Sequence, residues 1–459
     1  MENRTENNQV TPGPAGFAPI DYVKVTILGF GLSGLWASLH TVVLQLRLLD
    51  FVPESQKNSY LGWLTFAGLV LAMLVQPIVG NMSDRSGFSW GRRRPYILVG
   101  SLALLLLLPG IGLWANYAAV FVCYCLMQVF SNTAQGPYQG FIPDLVPTDK
   151  RGLASGVKSL MEVVGGVSLA RLAAYFMDQY TPGEAGYWLW LTLGTLGAVF
   201  LITALITLIT VREQPGTGRQ VVVSPTSKER PEAGGSIITL LGNILTGEYI
   251  DAMVTLLVHL FKRLLSNVKQ HRSFVWFLVS RCLLGIPGVV LQTFALYYLT
   301  DVIGMENPAS AATNLLIVVG AALIAVVYFA GRLSDRIGRK PIMIASGVVG
   351  AAGTVLLYLS DSFTQVLLSG ACIGLASGAF LSTSWAMATD LAAEGEEAKY
   401  LGLTNLAMAA GSALARLIGP VIDLFNTVGT NMGYSVMLLA CFLCFIVGSL
   451  LVLKVKEVR

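Results

Sequence analysis

A basic and an acidic residue, Lys158 and Glu162, lie four positions apart inside an apolar stretch of this sequence. On a helix that spacing places both side chains on one face. A charged group at membrane depth is costly unless it is paired or hydrated, so such residues are functional candidates. A carboxylate in this position could take up and release a proton. The pair predicts either a proton-coupling site that faces a cavity or a structural ion pair, and the residues leave both open.

Further ionisable residues interrupt the apolar runs. They are His40, Asp144, Arg171, Arg281, Asp390 and Arg416. Asp144 follows Pro143 near the end of its run, where it could cap a helix or stay solvated. Arg171 lies about 20 Å from Lys158 along a helix, at ~1.5 Å per residue, and could extend its head group to the membrane surface. The remaining four could line a pathway or pack in the interior.

Motifs for catalysis, metal binding and nucleic-acid binding are missing from the sequence. It contains no nucleophile–base pair, phosphate loop, ATP-binding motif, metal-ligand cluster or basic stripe with interleaved aromatic residues. All six cysteines fall inside apolar runs, which favours small buried side chains over ligands. We therefore expect a protein that is not an enzyme, needs no cofactor or metal, and draws its driving force from a gradient.

The elements that must position these residues are membrane-spanning helices. Of the 459 residues, 54% are hydrophobic and only 12% are charged, whereas soluble domains carry about a quarter charged residues. Segments of spanning length, about 20 residues, recur throughout. The runs lie at 24–48, 58–80, 94–114, 117–142, 152–177, 186–211, 273–299, 311–330, 341–359, 364–389, 400–425 and 432–454. The sequence predicts an all-α, multi-pass protein of the cell membrane or inner membrane with twelve transmembrane helices.

The distribution of basic residues predicts the orientation. Arginines and lysines concentrate in 80–97, 150–151, 332–340 and the C-terminus, whereas the opposite connections carry mostly acids. Because basic loops remain in the cytoplasm, we expect this side, and with it both termini, to be cytoplasmic.

The chain divides into four predicted regions. We expect a cytoplasmic tail over 1–22, a six-helix bundle over 23–212, a cytoplasmic linker over 213–272 and a second six-helix bundle with a short tail over 273–459. Part of the linker has apolar residues at helical spacing and basic residues near its end, which fits a helix on the inner leaflet. Such a linker could tether the halves or bind a regulator.

The two bundles carry a repeat. Gly80, Ser83 and Asp84 match Gly331, Ser334 and Asp335 at an offset of 251. Gly91-Arg92-Arg93 matches Gly338-Arg339-Lys340 at 247, Asp144 matches Asp390 at 246, and Arg171 matches Arg416 at 245. Four matches in register indicate two homologous halves in tandem.

The repeated Gly-x-x-x-Asp-Arg link resembles the best-known motif of the major facilitator superfamily, whose fold is two six-helix bundles. The resemblance implies a conformational latch that forms when the cytoplasmic ends close and favours the outward-facing state. The residues that match it are Gly80, Asp84, Arg85 and Arg92 in the first copy and Gly331, Asp335, Arg336 and Arg339 in the second. A role in fixing topology alone is the other interpretation.

A longer string, "QPIVGNMSDRSGFSWGRRRPYI", is similar to the signature of sucrose–proton symporters and the wider glycoside–pentoside–hexuronide cation symporter group. "QGPYQGFIPDL", which begins at Gln135, is similar to their fourth span. The resemblance implies that Asp144 binds the proton and contacts sugar. Gln139 departs from it, because an arginine is usual there. Gln76 replaces the acid of sodium-coupled relatives, which favours protons.

The sequence thus predicts a monomeric secondary transporter in the lipid bilayer, with proton-coupled symport of a sugar or glucoside by alternating access. Asp144 or Glu162 would be the coupling acid. The alternatives are an exporter of an amphipathic or aromatic small molecule and a non-transporting assembly or sensor member of the superfamily.

Overall fold

The computed structural model describes residues 18–181, 186–213, 272–391 and 397–455. Within these ranges the chain forms helices and no strands. The predicted tail over 1–22 lies mostly outside the described residues, and the linker over 213–272 almost entirely.

Twelve helical spans long and apolar enough to cross a membrane are found in the described residues, which confirms the predicted number. We label them α1 to α12 in chain order: Pro19–Leu48, Glu54–Arg85, Arg94–Leu113, Tyr117–Leu145, Thr148–Met177, Tyr187–Thr210, Arg272–Asp301, Pro308–Ile337, Arg339–Tyr358, Phe363–Asp390, Tyr400–Asn426 and Met432–Val452. Helices suit this environment because every backbone polar group must be satisfied internally in lipid.

Helices α2 and α8 run past their apolar segments. The predicted runs end at residues 80 and 330, whereas the helices continue to Arg85 and Ile337. The first part of each repeated motif is therefore helical, and the turn follows it. Gly91 and Gly338 supply that turn with φ values of 125° and 96°, which side chains other than glycine adopt rarely.

The same pairs of helices pack together in both halves. In the first half α1 contacts α5 and α6, while α4 contacts α2 and α3. In the second half α7 contacts α11 and α12, and α10 contacts α8 and α9. Small residues allow the closest of these approaches: a Cβ on Gly165 of α5 would lie 2.2 Å from the Phe30 carbonyl oxygen of α1.

The two halves meet at one end of the bundle. We call the end with residues 80–97 and 331–341 the motif end, and the opposite end the far end. Helix α2 contacts α11, and α5 contacts α8, through residues such as Asn58 and Asp178 near the far end. Among the described residues, the hydrogen bonds and ion pairs between the halves lie toward the far end, at residues such as Lys57, Asn58, Arg171 and Asp178. The halves are therefore closed at the far end, and in the described ranges no such bond joins them at the motif end.

Candidate transport pathway

Two arginines and two acids form an ion-pair cluster at the motif end of the first half. Arg93 Nη2 lies 2.8 Å from Asp84 Oδ1, and Arg93 Nε lies 2.5 Å from Asp144 Oδ2. Arg92 Nη2 also contacts Asp144 Oδ2 at 2.5 Å. This first motif cluster joins the end of α2, the α2–α3 link and the end of α4. The predicted proton site Asp144 and the predicted latch thus form one structure.

The second half repeats this arrangement. Arg339 Nε lies 3.1 Å from Asp390 Oδ2, and its Nη1 contacts Asp335 Oδ1. The geometric counterpart of Arg339 is Arg93, since both reach an acid 51 residues further along the chain. The sequence alignment pairs Arg339 with Arg92, the residue before Arg93, and Arg92 also contacts Asp144. The first link has one residue more between its glycine and the arginine that contacts both acids.

The other predicted latch residues differ from these. Arg85 and Arg336 are exposed at the ends of α2 and α8. A Cβ built on Gly80 would meet no atom within 4 Å, and one on Gly331 would meet only Ser382 Oγ of its own half. Helix α4 nevertheless approaches α2 closely here, because a Cβ on Gly136 would lie 2.8 Å from the Gln76 carbonyl oxygen and 3.4 Å from the Gly80 nitrogen.

Glu213, which sequence reasoning missed, belongs to the same region. It follows α6, and its Oε2 accepts a hydrogen bond from the Arg93 backbone N–H at 2.9 Å. Burial raises the pKa of the Glu213 carboxyl above its ordinary value, while hydrogen bonds from the Arg93 and Arg94 backbone act against the rise. The first motif cluster is thereby tied to the residue from which the central linker departs.

Lys158 and Glu162 form the predicted pair on α5, with Nζ and Oε1 3.3 Å apart. Their side chains are 21% and 34% exposed. Lys158 Nζ also lies 5.6 Å from the ring centroid of Tyr138 on α4. A Cβ on Gly29 of α1 would lie 3.0 Å from Glu162 Cγ, so the glycine makes room for the carboxylate. The pair occupies a junction of three first-half helices.

His40 lies in a polar cluster on the first half. Its Nε2 lies 2.8 Å from the Tyr124 hydroxyl, which also accepts a hydrogen bond from Gln128 Nε2 at 3.0 Å. Trp36 Nε1 donates to Ser131 Oγ at 2.7 Å. We call Trp36, His40, Tyr124 and Gln128 the aromatic–amide cluster. Helix α1 adopts a π-helical turn over Leu39–Val43 beside it, and such turns are frequent at functional sites.

Arg416 lies on α11 of the second half. Its Nη1 donates to the Ser412 carbonyl at 2.6 Å. Its Nε is buried and has no hydrogen-bond partner among the described residues. Gly62 of α2 packs against the Arg416 carbonyl oxygen, 2.5 Å from where a Cβ would be. The contact brings the guanidinium-bearing turn of α11 against the first half.

Arg281 is buried on α7, with 1% of its surface exposed. Its guanidinium carbon lies 5.0 Å from the ring centroid of Trp385 and 5.9 Å from that of Phe380. Its Nη1 donates to Ser384 Oγ, whereas its buried Nε has no hydrogen-bond partner in the described part of the chain. Gln135, the other predicted site residue, is half-buried on α4.

A group of polar residues that the sequence did not single out joins the halves at the far end. Lys57 Nζ lies 2.7 Å from Asp301 Oδ1. Asp423 accepts from Asn58 Nδ2 at 2.9 Å and from the Ser59 backbone N–H at 2.6 Å. We call these five residues the far-end clamp. Lys57 and Asp423 are 4% and 6% exposed, so the clamp closes this end tightly.

A second inter-half contact involves Arg171 and its neighbour Asp178. Asp178 accepts hydrogen bonds from the backbone N–H groups of Ala309 and Ser310 at 3.0 and 3.1 Å. It therefore caps the N-terminus of α8 from the opposite half. Arg171 Nη1 donates to Ser310 Oγ at 2.8 Å.

A mostly apolar cavity of about 120 Å³ lies between the halves beside the π-helical turn. Thr41 of α1 lines it together with Gln292 of α7 and Ser377 of α10. The Thr41 hydroxyl oxygen is buried and has no hydrogen-bond partner among the described residues. Polar groups of both halves thus border a partly open cavity.

Two family models match the chain. The Major Facilitator Superfamily model matches residues 307–459, and the MFS/sugar transport protein model matches residues 30–245. Together they cover most of the sequence, with one match in each half.

Curated relatives include plant and bacterial transport proteins. The chain is 26% identical over 278 residues to the sucrose transport protein SUT1 of Oryza sativa subsp. japonica, which covers 50% of this chain and 49% of the relative. It is 38% identical over 92 residues to the inner membrane transport protein YajR of Escherichia coli strain K12, 20% of each chain. The chain spans about half or less of the length of these relatives.

Solved structures match nearly the whole chain. The crystal structure of a D-xylose-proton symporter has a TM-score of 0.70 at 16% identity and covers 96% of this chain and 99% of that chain. A bacterial homolog of the human lysosomal transporter Spinster, inward-facing and occupied, has a TM-score of 0.68 at 16% identity and covers 96% of both chains. These likenesses confirm the predicted fold of two six-helix bundles.

Proposed function

Because this chain belongs to the major facilitator superfamily, we propose that it is a secondary active transporter that carries a sugar or glucoside together with a proton. Its relatives include proteins named as sucrose transporters. The observation that carries the proposal is the asymmetry of the inter-half contacts. The far-end clamp joins the halves, whereas each motif cluster forms its ion pairs within its own half.

The orientation of the multi-pass chain follows from the positive-inside rule. With the motif end and both termini in the cytoplasm, the described conformation is inward-facing. Closing the motif end and opening the far-end clamp would produce the outward-facing state. The motif clusters are already formed within each half in the described conformation, so they would keep each half rigid as it moves rather than form on closure. The monomer in the bilayer would be the transporting unit, with the region over 213–272 as a tether.

Glu162 is the stronger candidate for the proton-coupling acid. It has a single cation partner, Lys158, at 3.3 Å and keeps a third of its side chain exposed. Asp144 is held by Arg92 and Arg93 together. Two arginines stabilise the ionised form of a carboxylate strongly, so a proton would bind Asp144 less readily. We assign Asp144 to the motif cluster and proton exchange to Glu162.

The exporter alternative has less support. A wholly apolar pathway apart from Lys158 and Glu162 would favour it, but His40, Arg281 and Arg416 add polar or charged groups between and beside the halves. Binding of a hydroxyl-rich solute accounts for such groups better than binding of an amphipathic one.

Uptake into proteoliposomes tests the proposal. With an inward proton gradient, we expect accumulation of a labelled sugar above its external concentration. Glu162→Gln should abolish accumulation but retain exchange of labelled for unlabelled sugar, because exchange needs no net proton movement. Asp361→Asn, a change at an exposed acid of the far end, is the control. If the proton gradient changes the uptake of none of the sugars tested, symport is refuted. If Glu162→Gln still accumulates sugar fully, the assignment of Glu162 as the coupling acid is refuted.

A further inference from the structure

Arg281 is a buried cation without a counter-charge. In the described part of the chain it forms no ion pair, whereas Lys57 and Lys158 each lie beside an acid. Its guanidinium rests against Phe380 and Trp385, and its buried Nε has no acceptor among the described residues. A buried ion is tolerated when a counter-charge and hydrogen bonds compensate for its lost hydration. The described conformation leaves this compensation incomplete, which indicates a partner in another conformation.

Helices α1 and α7 occupy matching places in the two halves. Both have 30 residues, and each packs against the helix four spans later. A Cβ on Gly165 of α5 would lie 2.2 Å from the Phe30 carbonyl oxygen of α1. A Cβ on Gly411 of α11 would lie 3.0 Å from the Cys282 carbonyl oxygen of α7. Phe30 and Cys282 are therefore equivalent positions of the repeat.

This match places Arg281 at the depth of Glu162. The residues that precede Phe30 and Cys282 are Gly29 and Arg281. A Cβ on Gly29 would lie 3.0 Å from Glu162 Cγ, so the carboxylate of the first half lies beside this position of α1. The second half carries a guanidinium at the equivalent position of α7. The two halves thus hold an acid and a base at the same depth.

Closure of the motif end would bring these two positions toward each other. Helices α1 and α7 are joined nearer the far end, where the Tyr297 hydroxyl donates to the Gln45 carbonyl oxygen at 2.7 Å. Gly29 lies 16 residues before Gln45, and Arg281 lies 16 residues before Tyr297. Both distances are about 24 Å along a helix at ~1.5 Å per residue. Two helices that are joined at one level and rotate together at the other bring matched positions face to face.

From this juxtaposition we propose that Arg281 is the partner of Glu162 in the conformation closed at the motif end. There the guanidinium binds the ionised carboxylate, and a proton on Glu162 abolishes the contact. A guanidinium suits this role because its planar N–H groups match the two oxygens of a carboxylate. The inference rests on the proposed transport function and deepens it, because it identifies a residue that makes closure depend on the proton. Arg281 is a positioning residue that acts through Glu162.

The pairing links proton binding to the direction of transport. With Glu162 ionised, closure of the motif end gains charge-assisted hydrogen bonds, so the proton-free carrier favours the outward-facing state. A proton that arrives from outside neutralises Glu162, releases Arg281 and allows the motif end to open. In the described inward-facing state, Lys158 alone pairs with Glu162 at 3.3 Å and stabilises the carboxylate after the proton has left.

The groups around the two partners assign the pH dependence to Glu162. The carboxylate faces Lys158 on its own helix and Tyr138 on α4, while α1 presents Gly29. Arg281 faces two aromatic rings and a serine hydroxyl of α10. Glu162 is the one carboxyl among these groups. The fraction of protein closed at the motif end should therefore rise with pH as Glu162 loses its proton, and fall as the pH is lowered.

Distances across the motif end test the pairing. Spin labels on cysteines introduced at Gly87 and Ile337, in full-length protein in nanodiscs with the native cysteines replaced, report the closed-to-open ratio at each pH without sugar. In this parent protein we expect the ratio to rise with pH. Arg281→Gln should lower the ratio at high pH about tenfold, the effect of one lost charged hydrogen bond, and leave the ratio at low pH unchanged.

A double-mutant cycle identifies the partner. In the Glu162→Gln background the ratio should not vary with pH, and Arg281→Gln should change it by less than about twofold. Lys454→Gln removes an exposed positive charge of the motif end and is the matched control. If Arg281→Gln fails to fold, Arg281→Lys takes its place in the cycle. It keeps the charge but not the planar fork, so we expect a loss of about threefold that also disappears in the Glu162→Gln background.

The outcomes separate this inference from the proposed function. A ratio in the parent protein that does not vary with pH would overturn the pairing. An equal effect of the Arg281 variant with and without the Glu162 carboxylate would also overturn it, because the arginine would then act on structure alone. Neither result affects sugar symport, which gradient-driven uptake tests separately. Absence of gradient-driven uptake of every sugar would count against the transport proposal itself.

Discussion

The two ends of this protein use ion pairs in opposite ways. At the far end, Lys57 and Asp301 lie on different halves, and so do Asn58 and Asp423. At the motif end, Arg93 and Arg339 each bind acids of their own half. Contacts between halves stabilise one conformation of the carrier, whereas contacts within a half persist as it moves. The contacts at the far end therefore stabilise the described conformation. The contacts at the motif end keep each half rigid as it moves.

The largest shift between conformations is expected from removing the buried acceptor of the far-end clamp. Asp423→Ala removes the acceptor of the half-buried Ser59 N–H and leaves Asn58 Nδ2 with only the Tyr434 hydroxyl at 3.4 Å, and it does so only while that end is closed. Loss of these two hydrogen bonds costs about 2 kcal/mol, so the balance should move about 30-fold toward the state open at the far end. Labelling of single cysteines from each side of the membrane measures this shift. Asp361→Asn is the control, and an unchanged labelling pattern would show that the clamp does not hold the halves.

The two motif clusters differ in burial, so replacing the arginine of each should lower the free energy of unfolding by different amounts. The Arg93 side chain is 8% exposed, whereas Arg339 is 23% exposed and its partner Asp335 is 65% exposed. We expect Arg93→Gln to lower the free energy of unfolding by about 3 kcal/mol, and Arg339→Gln by less than about 1 kcal/mol. Thermal unfolding in detergent compares the two variants. Equal losses would contradict the distinction between the copies.

A smaller effect is expected at the second contact between halves. Asp178→Ala removes the cap on the N-terminus of α8, a contribution of about 1 kcal/mol. Because the cap comes from the opposite half, the loss should appear as a roughly fivefold shift between the two states rather than as a loss of fold stability. Site-directed labelling should show this shift while the melting temperature stays unchanged. A lowered melting temperature without a shift would make the cap purely structural.

The smallest effect concerns the pH dependence at Glu213. Burial raises the pKa of this carboxyl, so the folded protein holds the proton more tightly than the unfolded chain does. The free energy of unfolding should therefore fall as the pH rises from the ordinary Glu value of 4.5 through the raised pKa. Glu213→Gln should lack this contribution and keep the hydrogen bond from the Arg93 N–H. Melting curves of both proteins across this range provide the test, and identical pH profiles would contradict it.

Sequence alone predicted the parts of the molecule that depend on local pattern. The twelve spans follow from apolar length, and the equivalent helix pairing in the two halves fits the repeat seen at Asp84 and Asp335. The positions of Lys158 and Glu162 on one face of α5 follow from their spacing. These features can be predicted without knowing how the two halves pack against each other.

The far-end clamp could not be predicted in the same way. Lys57, Asp301 and Asp423 lie on three helices and meet only once the halves are docked. In the sequence, Lys57 and Asp301 lie at the ends of apolar runs, where charged residues are common. Asp423 lies inside the predicted run over 400–425, and an acid in that position was an available signal. Arg93 was missed for a different reason, since only the geometry shows that it contacts both Asp84 and Asp144.

The central claim is that the two ends open and close in alternation. Spin labels on cysteines introduced at Gly87 and Ile337 report the motif end, and labels at Ser55 and Asn307 report the far end, in a protein whose native cysteines have been replaced. Pulsed electron–electron double resonance measures both distances at low and at high pH, with and without sugar. We predict that the motif-end distance shortens in the same population in which the far-end distance lengthens. Distances that stay fixed, or that lengthen together, would contradict the alternating-access account.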